Sequence, residues 1–125
     1  MKTIITEKAP KAIGPYSQGV LAGKTLYVSG QIPFDPKTML LVSEDIKDQT
    51  KQCLENILAI VKEAGMEKEN IVRCGVFMTN LQNFQAMNET YAAFFGEHKP
   101  TRAAVEVKAL PKNVQIEIDA IAVKE

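Results

Sequence analysis

Residues 114–123 read VQIEIDAIAV, and they alternate between an apolar face and a mixed face of an extended chain. The apolar face carries Val114, Ile116, Ile118, Ala120 and Ala122. The mixed face carries Gln115, Glu117, Asp119, Ile121 and Val123. Because a period of two places alternate side chains on opposite sides, the stretch predicts a β-strand with one face in a core. The mixed face is typical of a surface that meets another subunit rather than bulk water.

Two stretches earlier in the chain follow the helical period of 3.6 instead. Residues 45–64 predict an amphipathic helix, with Ser43 as a candidate N-cap and Gly65 just beyond its end. Residues 83–95 predict a second helix. Its apolar stripe is interpreted as core and consists of Phe84, Met87, Tyr91, Phe94 and Phe95. Asn88 interrupts this stripe, and we interpret it as a structural residue that hydrogen-bonds a nearby loop backbone.

Further strand-like runs lie around the two helices, and each is bounded by turn residues. They cover residues 19–22, 25–29, 71–78 and 103–107. Strands therefore outnumber helices, and both helices are available to cover one face of a sheet. The pattern predicts an α+β fold, and a chain of 125 residues is long enough for one domain that buries roughly two-thirds of its unfolded surface. We expect a single domain over residues 1–125.

Composition narrows the classes of partner. Fifteen basic and fifteen acidic residues cancel, and no run of like charges favours a nucleic acid or a membrane surface. The N-terminus has no apolar signal region, and no segment approaches the roughly 18 apolar residues of a membrane span. We expect a cytoplasmic protein whose partner is a small molecule.

The residues that most often carry hydrolytic or metal chemistry are scarce. Cys53 and Cys74 lack a metal-binding spacing and lie in apolar patterns, which predicts buried free thiols. His98 is the only histidine. A zinc site needs three or four ligands, and a Ser-His-Asp arrangement needs a histidine oriented by a partner, so neither is predicted.

Five polar or small residues stand where packing alone does not require them: Tyr16 in IGPYSQG (13–19), Ser29 and Gly30 in YVSGQIP (27–33), Arg102 in PTRAAVEV (100–107) and Glu117 in the last strand. Each has an ordinary structural interpretation. Tyr16 can serve packing, and the Ser-Gly pair can serve a turn. Arg102 can be a surface charge, and Glu117 can belong to a cross-strand ion pair.

Together these stretches resemble the RidA (YjgF) family of reactive intermediate imine/enamine deaminases. The similarity runs from AIGPYSQG through SGQIP, LENILAIVKEAG and MNETYAAFF to PTRAAVEVKALPKNVQIEIDAIAV, which covers nearly the whole chain. The resemblance implies a chorismate-mutase-like fold in which two helices pack on one face of a mixed sheet. It also implies a homotrimer with the sheets facing the centre and active sites in the clefts between subunits.

The family hydrolyses 2-imino acids and their enamine tautomers, such as 2-aminoacrylate and 2-aminocrotonate, to 2-keto acids and ammonia without a cofactor or metal. For this chain the resemblance implies that Arg102 binds the substrate carboxylate and that Gly30 offers a backbone amide. Glu117, Ser29 and Tyr16 are the implied catalytic residues.

Physical chemistry agrees with this assignment. A planar guanidinium can hold a carboxylate through two parallel charge-assisted hydrogen bonds. An imine carbon is already electrophilic, so the reaction needs a held substrate, a water and a proton relay, for which Glu117 is suited. The chain departs from the family pattern at Lys99-Pro100-Thr101, where an aromatic approach to the arginine is common, and this departure puts substrate specificity in question.

Two other functions stay open. Relatives have been associated with endoribonuclease activity and inhibition of translation, but the chain has no basic stripe, so a nucleic acid is the less favoured partner. A non-enzymatic sensor or a holdase-type binding module would use Arg102 without needing Glu117.

Overall fold

Six strands form one mixed sheet, and two α-helices pack on it, in a computed structural model that describes residues 1–125. The strands are β1 (Lys2–Ile4), β2 (Gly19–Ala22), β3 (Thr25–Gln31), β4 (Ile71–Met78), β5 (Thr101–Glu106) and β6 (Ile116–Val123). The helices are α1 (Ile46–Glu63) and α2 (Phe84–Phe95). The strand order is β1-β2-β3-β6-β4-β5, and only the β4–β5 pair is parallel. The predicted α+β fold, with two helices on a mixed sheet, is confirmed.

The last strand, β6, lies in the middle of the sheet and carries much of the core. Its apolar side chains Ile116, Ile118, Ala120 and Ala122 are buried. They belong to the same core cluster as the buried face of α1, formed by Cys53, Leu54, Ile57, Ile60 and Val61. The alternation in VQIEIDAIAV is therefore confirmed as the division between a core face and an outer face.

Helix α1 begins two residues later than it would if Ser43 were its N-cap. Asp45 is the N-cap, because its Oδ1 atom accepts hydrogen bonds from the backbone N–H groups of Lys47 at 2.7 Å and Asp48 at 3.2 Å. The prediction of Ser43 as N-cap is wrong. The Ser43 hydroxyl instead accepts from the Asp45 N–H at 3.0 Å and donates to the Asp48 carboxylate at 2.9 Å, which orients the cap.

Helix α2 places Met87, Tyr91 and Phe95 in the core, with Phe84 and Phe94 partly buried against it. Cys53 and Cys74 are both buried free thiols, as predicted.

The face of the sheet opposite the helices is uncovered in the single chain. Tyr27 on β3 is 52% exposed and Val105 on β5 is 44% exposed. The outward residues of β6, including Glu117 and Ile121, are half-buried. We call this surface the open face. No helix in the chain has the length and apolar character needed to cross a membrane.

Four strands differ from the sequence-based bounds. β3 extends to Gln31, two residues beyond its predicted end. The three-residue β1 is too short to show a period, and the sequence does not predict it. β5 begins at Thr101, so Arg102 lies within the strand rather than before it. β6 begins at Ile116 because a short 3-10 turn occupies Pro111–Asn113, where Lys112 and Asn113 both have positive φ values near 58° and 56°.

Candidate active site

Glu117 extends from β6 on the open face and is half-buried. It forms none of the salt bridges of the chain, so its interpretation as a cross-strand ion-pair member is wrong. The ion pair on this strand belongs to Asp119, whose Oδ1 atom lies 3.8 Å from Arg73 Nη1 and accepts from the Gly75 N–H at 2.9 Å. Burial raises the pKa of the Glu117 carboxyl, and the negative charge of Asp119 raises it further.

Gly30 makes room for this carboxyl group. β3 and β6 change register between Val28 and Gln31, and the Gly30 backbone meets Glu117 at this irregularity. A Cβ atom at position 30 would overlap the Glu117 carboxylate. A larger residue at position 30 would therefore displace the Glu117 carboxylate from its present position.

Tyr16 lies on the same cavity as these two residues. A space of about 410 Å³ is lined by Tyr16, Gly30 and Glu117, with apolar walls and two lysines. The apolar walls include Ile13, Ile32, Phe34 and Met39, and the lysines are Lys11 and Lys112. Tyr16 is 51% exposed, so it serves this cavity more than the packing of the core. Its hydroxyl accepts a long hydrogen bond of 3.4 Å from the Ile13 N–H.

Ser29 supports the cavity without lining it. Its hydroxyl donates to the Ser17 carbonyl at 2.5 Å, and its N–H donates to the Gln18 carbonyl at 2.9 Å. These bonds tie the segment that carries Tyr16 to β3. The Ser29 proton is therefore engaged with backbone and not directed at the cavity.

Two buried amides, not singled out in the sequence, hold the cavity walls. Gln18 is 3% exposed; its Oε1 accepts from the Thr6 N–H at 2.7 Å, and its Nε2 donates to the Pro10 carbonyl at 2.8 Å. Asn56 on α1 donates from Nδ2 to the carbonyls of Ile32 at 3.2 Å and Phe34 at 3.1 Å. In the sequence, Asn56 could have been identified as an amide on the apolar face of the predicted helix, because a buried amide needs hydrogen-bond partners.

Arg102 is held in one orientation at the edge of the sheet. Its Nη1 atom donates to Asn88 Oδ1 at 2.7 Å, and its guanidinium lies 4.8 Å from the Tyr91 ring centre and 5.5 Å from that of Phe84. The prediction that Asn88 binds a loop backbone is therefore wrong, because its partner is this guanidinium. The position of a polar residue on the apolar stripe of α2 indicates that Asn88 has a hydrogen-bond partner, but the spacing of the stripe does not indicate which one.

One chain keeps Arg102 apart from Glu117. Arg102 pairs with Cys74 of β4, which is buried on the helix side, whereas Glu117 pairs with Phe77 of β4 and lies on the open face. The two side chains therefore leave opposite faces of the sheet, from strands on either side of β4. Arg102 lines a second cavity of about 350 Å³, which has no lining residue in common with the Glu117 cavity.

The predicted site residues thus form two groups. Tyr16, Gly30 and Glu117 share one cavity, with Ser29 behind its wall, and Arg102 belongs to the other. No group of three or more histidine, cysteine, aspartate or glutamate side chains is placed to hold a metal ion. What the arrangement offers is a carboxyl group of raised pKa in a partly apolar cavity and an oriented guanidinium.

The fold and these groups define a class of small α+β proteins in which two helices pack on a mixed six-stranded sheet, with a carboxyl of raised pKa in one cavity and an oriented arginine in another. Residues 6–124 match the sequence model of the family described as Endoribonuclease L-PSP, and the chain belongs to this family, in which the RidA (YjgF) proteins are found. A RutC family protein of Pyrococcus horikoshii is 55% identical over 124 residues, which cover 99% of this chain and 98% of that protein. A 2-iminobutanoate/2-iminopropanoate deaminase of Salmonella typhimurium is 54% identical over 126 residues, covering 98% of each.

Solved structures agree with the fold over the full chain. The YjgF gene product of Escherichia coli superposes with a TM-score of 0.97 at 50% identity, covering 100% of both chains. Escherichia coli TdcF with bound serine superposes with a TM-score of 0.96 at 47% identity, also covering 100% of both.

Proposed function

We propose that this protein is a cytoplasmic, homotrimeric hydrolase that converts 2-imino acids and their enamine tautomers to 2-keto acids and ammonia. The observation that carries the proposal is Glu117, a carboxyl of raised pKa in a cavity shared with Tyr16. Relatives that are 52% and 54% identical over nearly their whole length are named for 2-iminobutanoate and 2-iminopropanoate deamination. The bound serine in TdcF is a small molecule with the α-carboxylate that such substrates also carry.

The reaction needs one proton relay. Water adds to the imine carbon, a carbon–oxygen bond forms, and the electron pair of the C=N bond moves to nitrogen, which takes up a proton. The carbinolamine hydroxyl then gives up its proton, the nitrogen takes up a proton, and the keto C=O bond forms as the carbon–nitrogen bond breaks and ammonia leaves. Glu117 accepts the proton of the attacking water and returns it to nitrogen, a role favoured by a pKa shifted toward neutrality. Enamine tautomers first take up a proton at C3.

Tyr16, Gly30 and Ser29 have different parts in this proposal. Tyr16 places a hydroxyl on the cavity, where it can hydrogen-bond the water or the carbinolamine oxygen. Gly30 contributes a backbone amide and admits Glu117. Ser29 acts by holding the Tyr16 segment, because its own hydroxyl is engaged with Ser17.

The trimer brings Arg102 to the reacting atoms. Within one chain Arg102 and Glu117 occupy different cavities, so a substrate held by both requires two chains. The open face supplies a surface for assembly, because Tyr27 and Val105 expose large apolar side chains on it. We therefore propose that Arg102 of one subunit binds the carboxylate of a substrate whose imine lies at Glu117 of the next.

The test couples the protein to a threonine dehydratase that generates 2-iminobutyrate, and it measures the rate of 2-ketobutyrate release. We expect the parent to accelerate release and Glu117→Gln to lose about 10²- to 10⁴-fold, the usual contribution of general acid–base catalysis. Glu97→Gln removes an exposed carboxylate that forms no salt bridge and serves as the matched control. A release rate unchanged by the parent protein contradicts the proposal.

Endoribonuclease activity is a second candidate because it is the description of the matching family. The charge distribution gives it less support, since basic and acidic residues are equal in number and the single histidine has its Nε2 atom 2.6 Å from the Ile71 carbonyl. Incubation of a labelled RNA with the parent and with Arg102→Ala, over a range of salt concentrations, distinguishes the candidates. Cleavage that depends on Arg102 supports the ribonuclease.

A further inference from the structure

The cavity beside Arg102 contains more positive charge than is needed to bind one carboxylate. Lys99 and His98 line it together with Arg102, and no aspartate or glutamate does. Lys99 is exposed and belongs to none of the salt bridges of the chain. The cavity therefore has a second cation that forms no salt bridge within the chain.

The two cations differ in what they can bind. Arg102 is fixed by Asn88 and by stacking on Tyr91, so its remaining N–H groups present a planar donor set for one carboxylate. Lys99 is a flexible point charge three residues earlier in the chain, and it can reach a second anionic group on the same ligand. His98 is not a third such group, because its Nε2 atom lies 2.6 Å from the Ile71 carbonyl.

The aromatic floor of the cavity suits the aliphatic part of a ligand that carries an anionic group at each end. Tyr91 and Phe95 are buried aromatic residues that line it, with ring centres 4.8 Å apart. Aromatic surfaces of this kind pack against methylene groups, whereas the two cations require anionic ends. A short aliphatic chain with a carboxylate at each end satisfies both requirements.

We propose that Lys99 is a specificity-determining residue that binds a distal carboxylate, so that the protein prefers dicarboxylic 2-imino acids and keto acids over monocarboxylic ones. The inference rests on the proposed function, in which Arg102 holds the α-carboxylate. A monocarboxylic ligand leaves Lys99 in solvent at no cost, so both classes bind and the diacid binds more tightly. In this proposal, the departure from the family pattern at Lys99-Pro100-Thr101, just before Arg102, determines which substrates the protein prefers.

Calorimetry with stable keto acids tests the preference without any catalytic step. We expect the parent to bind 2-oxoglutarate about two- to fivefold more tightly than 2-ketobutyrate, the range of a solvent-exposed ion pair. Lys99→Gln removes this difference and leaves 2-ketobutyrate affinity within about twofold, since Arg102 is untouched. Lys24→Gln makes the same change of charge in the exposed β2–β3 turn and leaves both affinities as in the parent.

Equal binding of the two keto acids by the parent overturns the inference, as does binding of neither. It is also overturned if Lys99→Gln weakens both ligands alike, or if Lys24→Gln has the same effect as Lys99→Gln. The 2-iminobutyrate assay keeps the two proposals separate. If the protein deaminates the imine but shows no diacid preference, only the proposed role of Lys99 is contradicted. If it shows a Lys99-dependent diacid preference but no deamination, only the proposed hydrolase activity is contradicted.

Discussion

Arg102 and Asn88 form a side-chain hydrogen bond of 2.7 Å between an edge strand and the middle of helix α2. The bond holds the guanidinium over Tyr91 and so fixes the direction in which its free N–H groups point. If Arg102 binds a carboxylate as proposed, orientation of this kind reduces the rotamer entropy lost on binding.

Asn88→Ala should weaken 2-ketobutyrate binding by about three- to tenfold, because Arg102 keeps its charge but loses its fixed orientation. Asn88→Asp retains the acceptor oxygen but adds a negative charge that repels the ligand carboxylate, so it should weaken binding as well. Gln85→Ala changes an exposed residue on the same helix and is the control. Calorimetry measures the affinities, and equal binding by Asn88→Ala and Gln85→Ala would show that the hydrogen bond has no part in recognition.

Arg102→Lys should lower 2-ketobutyrate affinity by about 10- to 100-fold, because a point charge replaces a two-pronged donor and a charge-assisted hydrogen bond is lost. Arg102→Ala should lose more. Thermal melts of both variants should stay close to the parent, since the side chain is exposed in the single chain. Parent-like binding by both variants would mean that the carboxylate is held elsewhere.

Mixing two inactive variants tests whether the site is shared between subunits. Arg102→Ala and Glu117→Gln should each be nearly inactive alone. After subunit exchange in an equimolar mixture, about a quarter of the clefts of a trimer combine a native arginine with a native glutamate, so activity should return to about that fraction. Activity that stays at the level of the separate variants would place both residues in one chain. Light scattering should give three times the chain mass of 13.8 kDa.

Gly30→Ala should displace the Glu117 carboxylate and destabilise the fold by about 0.5–1.5 kcal/mol, because the added methyl group forces this flexible side chain out of its present rotamer. In a Glu117→Ala background the overlap is absent, and the same substitution should cost less than about half as much. Urea denaturation of the four proteins gives the coupling free energy. A coupling of zero would assign the requirement for glycine to the backbone instead.

The raised pKa of Glu117 predicts a pH-dependent effect of Glu117→Gln on stability. Below the ordinary carboxyl pKa of 4.5, the side chain is protonated in the folded and unfolded chains alike. As the pH rises above that value, the unfolded chain releases its proton first, so the parent loses stability until the pH has passed the folded pKa.

Glu117→Gln cannot titrate, so its free energy of unfolding relative to the parent should increase between about pH 3.5 and about pH 7. Urea denaturation at both pH values measures this difference. Glu97→Gln, at an exposed position outside the salt bridges, should show no such increase. A constant difference for Glu117→Gln would mean that the carboxyl is not desolvated.

The sequence predicted those parts of the fold in which one period dominates. The alternation in β6 and the apolar face of α1 follow directly from burial on one side, and both are confirmed. The N-cap of α1 is not predictable in this way, because serine and aspartate have similar capping preferences and the structure uses Asp45 rather than Ser43.

The site was less predictable than the fold. Motif resemblance selected Tyr16, Gly30 and Glu117, and these residues do share a cavity. The partner of Asn88 could not be derived, because it depends on the parallel pairing that brings β5 beside β4 and thus Arg102 above α2. β4 and β5 are joined through α2 and not by a tight turn, so no local turn signal indicates their pairing.

The central position of β6 has a consequence for folding of the chain during its synthesis on the ribosome. β6 is the last strand to be synthesised, yet it is the strand that joins β3 to β4. Until it emerges, the nascent chain consists of two separate sheet fragments with no hydrogen bonds between them. The apolar side chains of both fragments and of α1 stay without their common partner, so the native sheet can form only after β6 itself has left the ribosome.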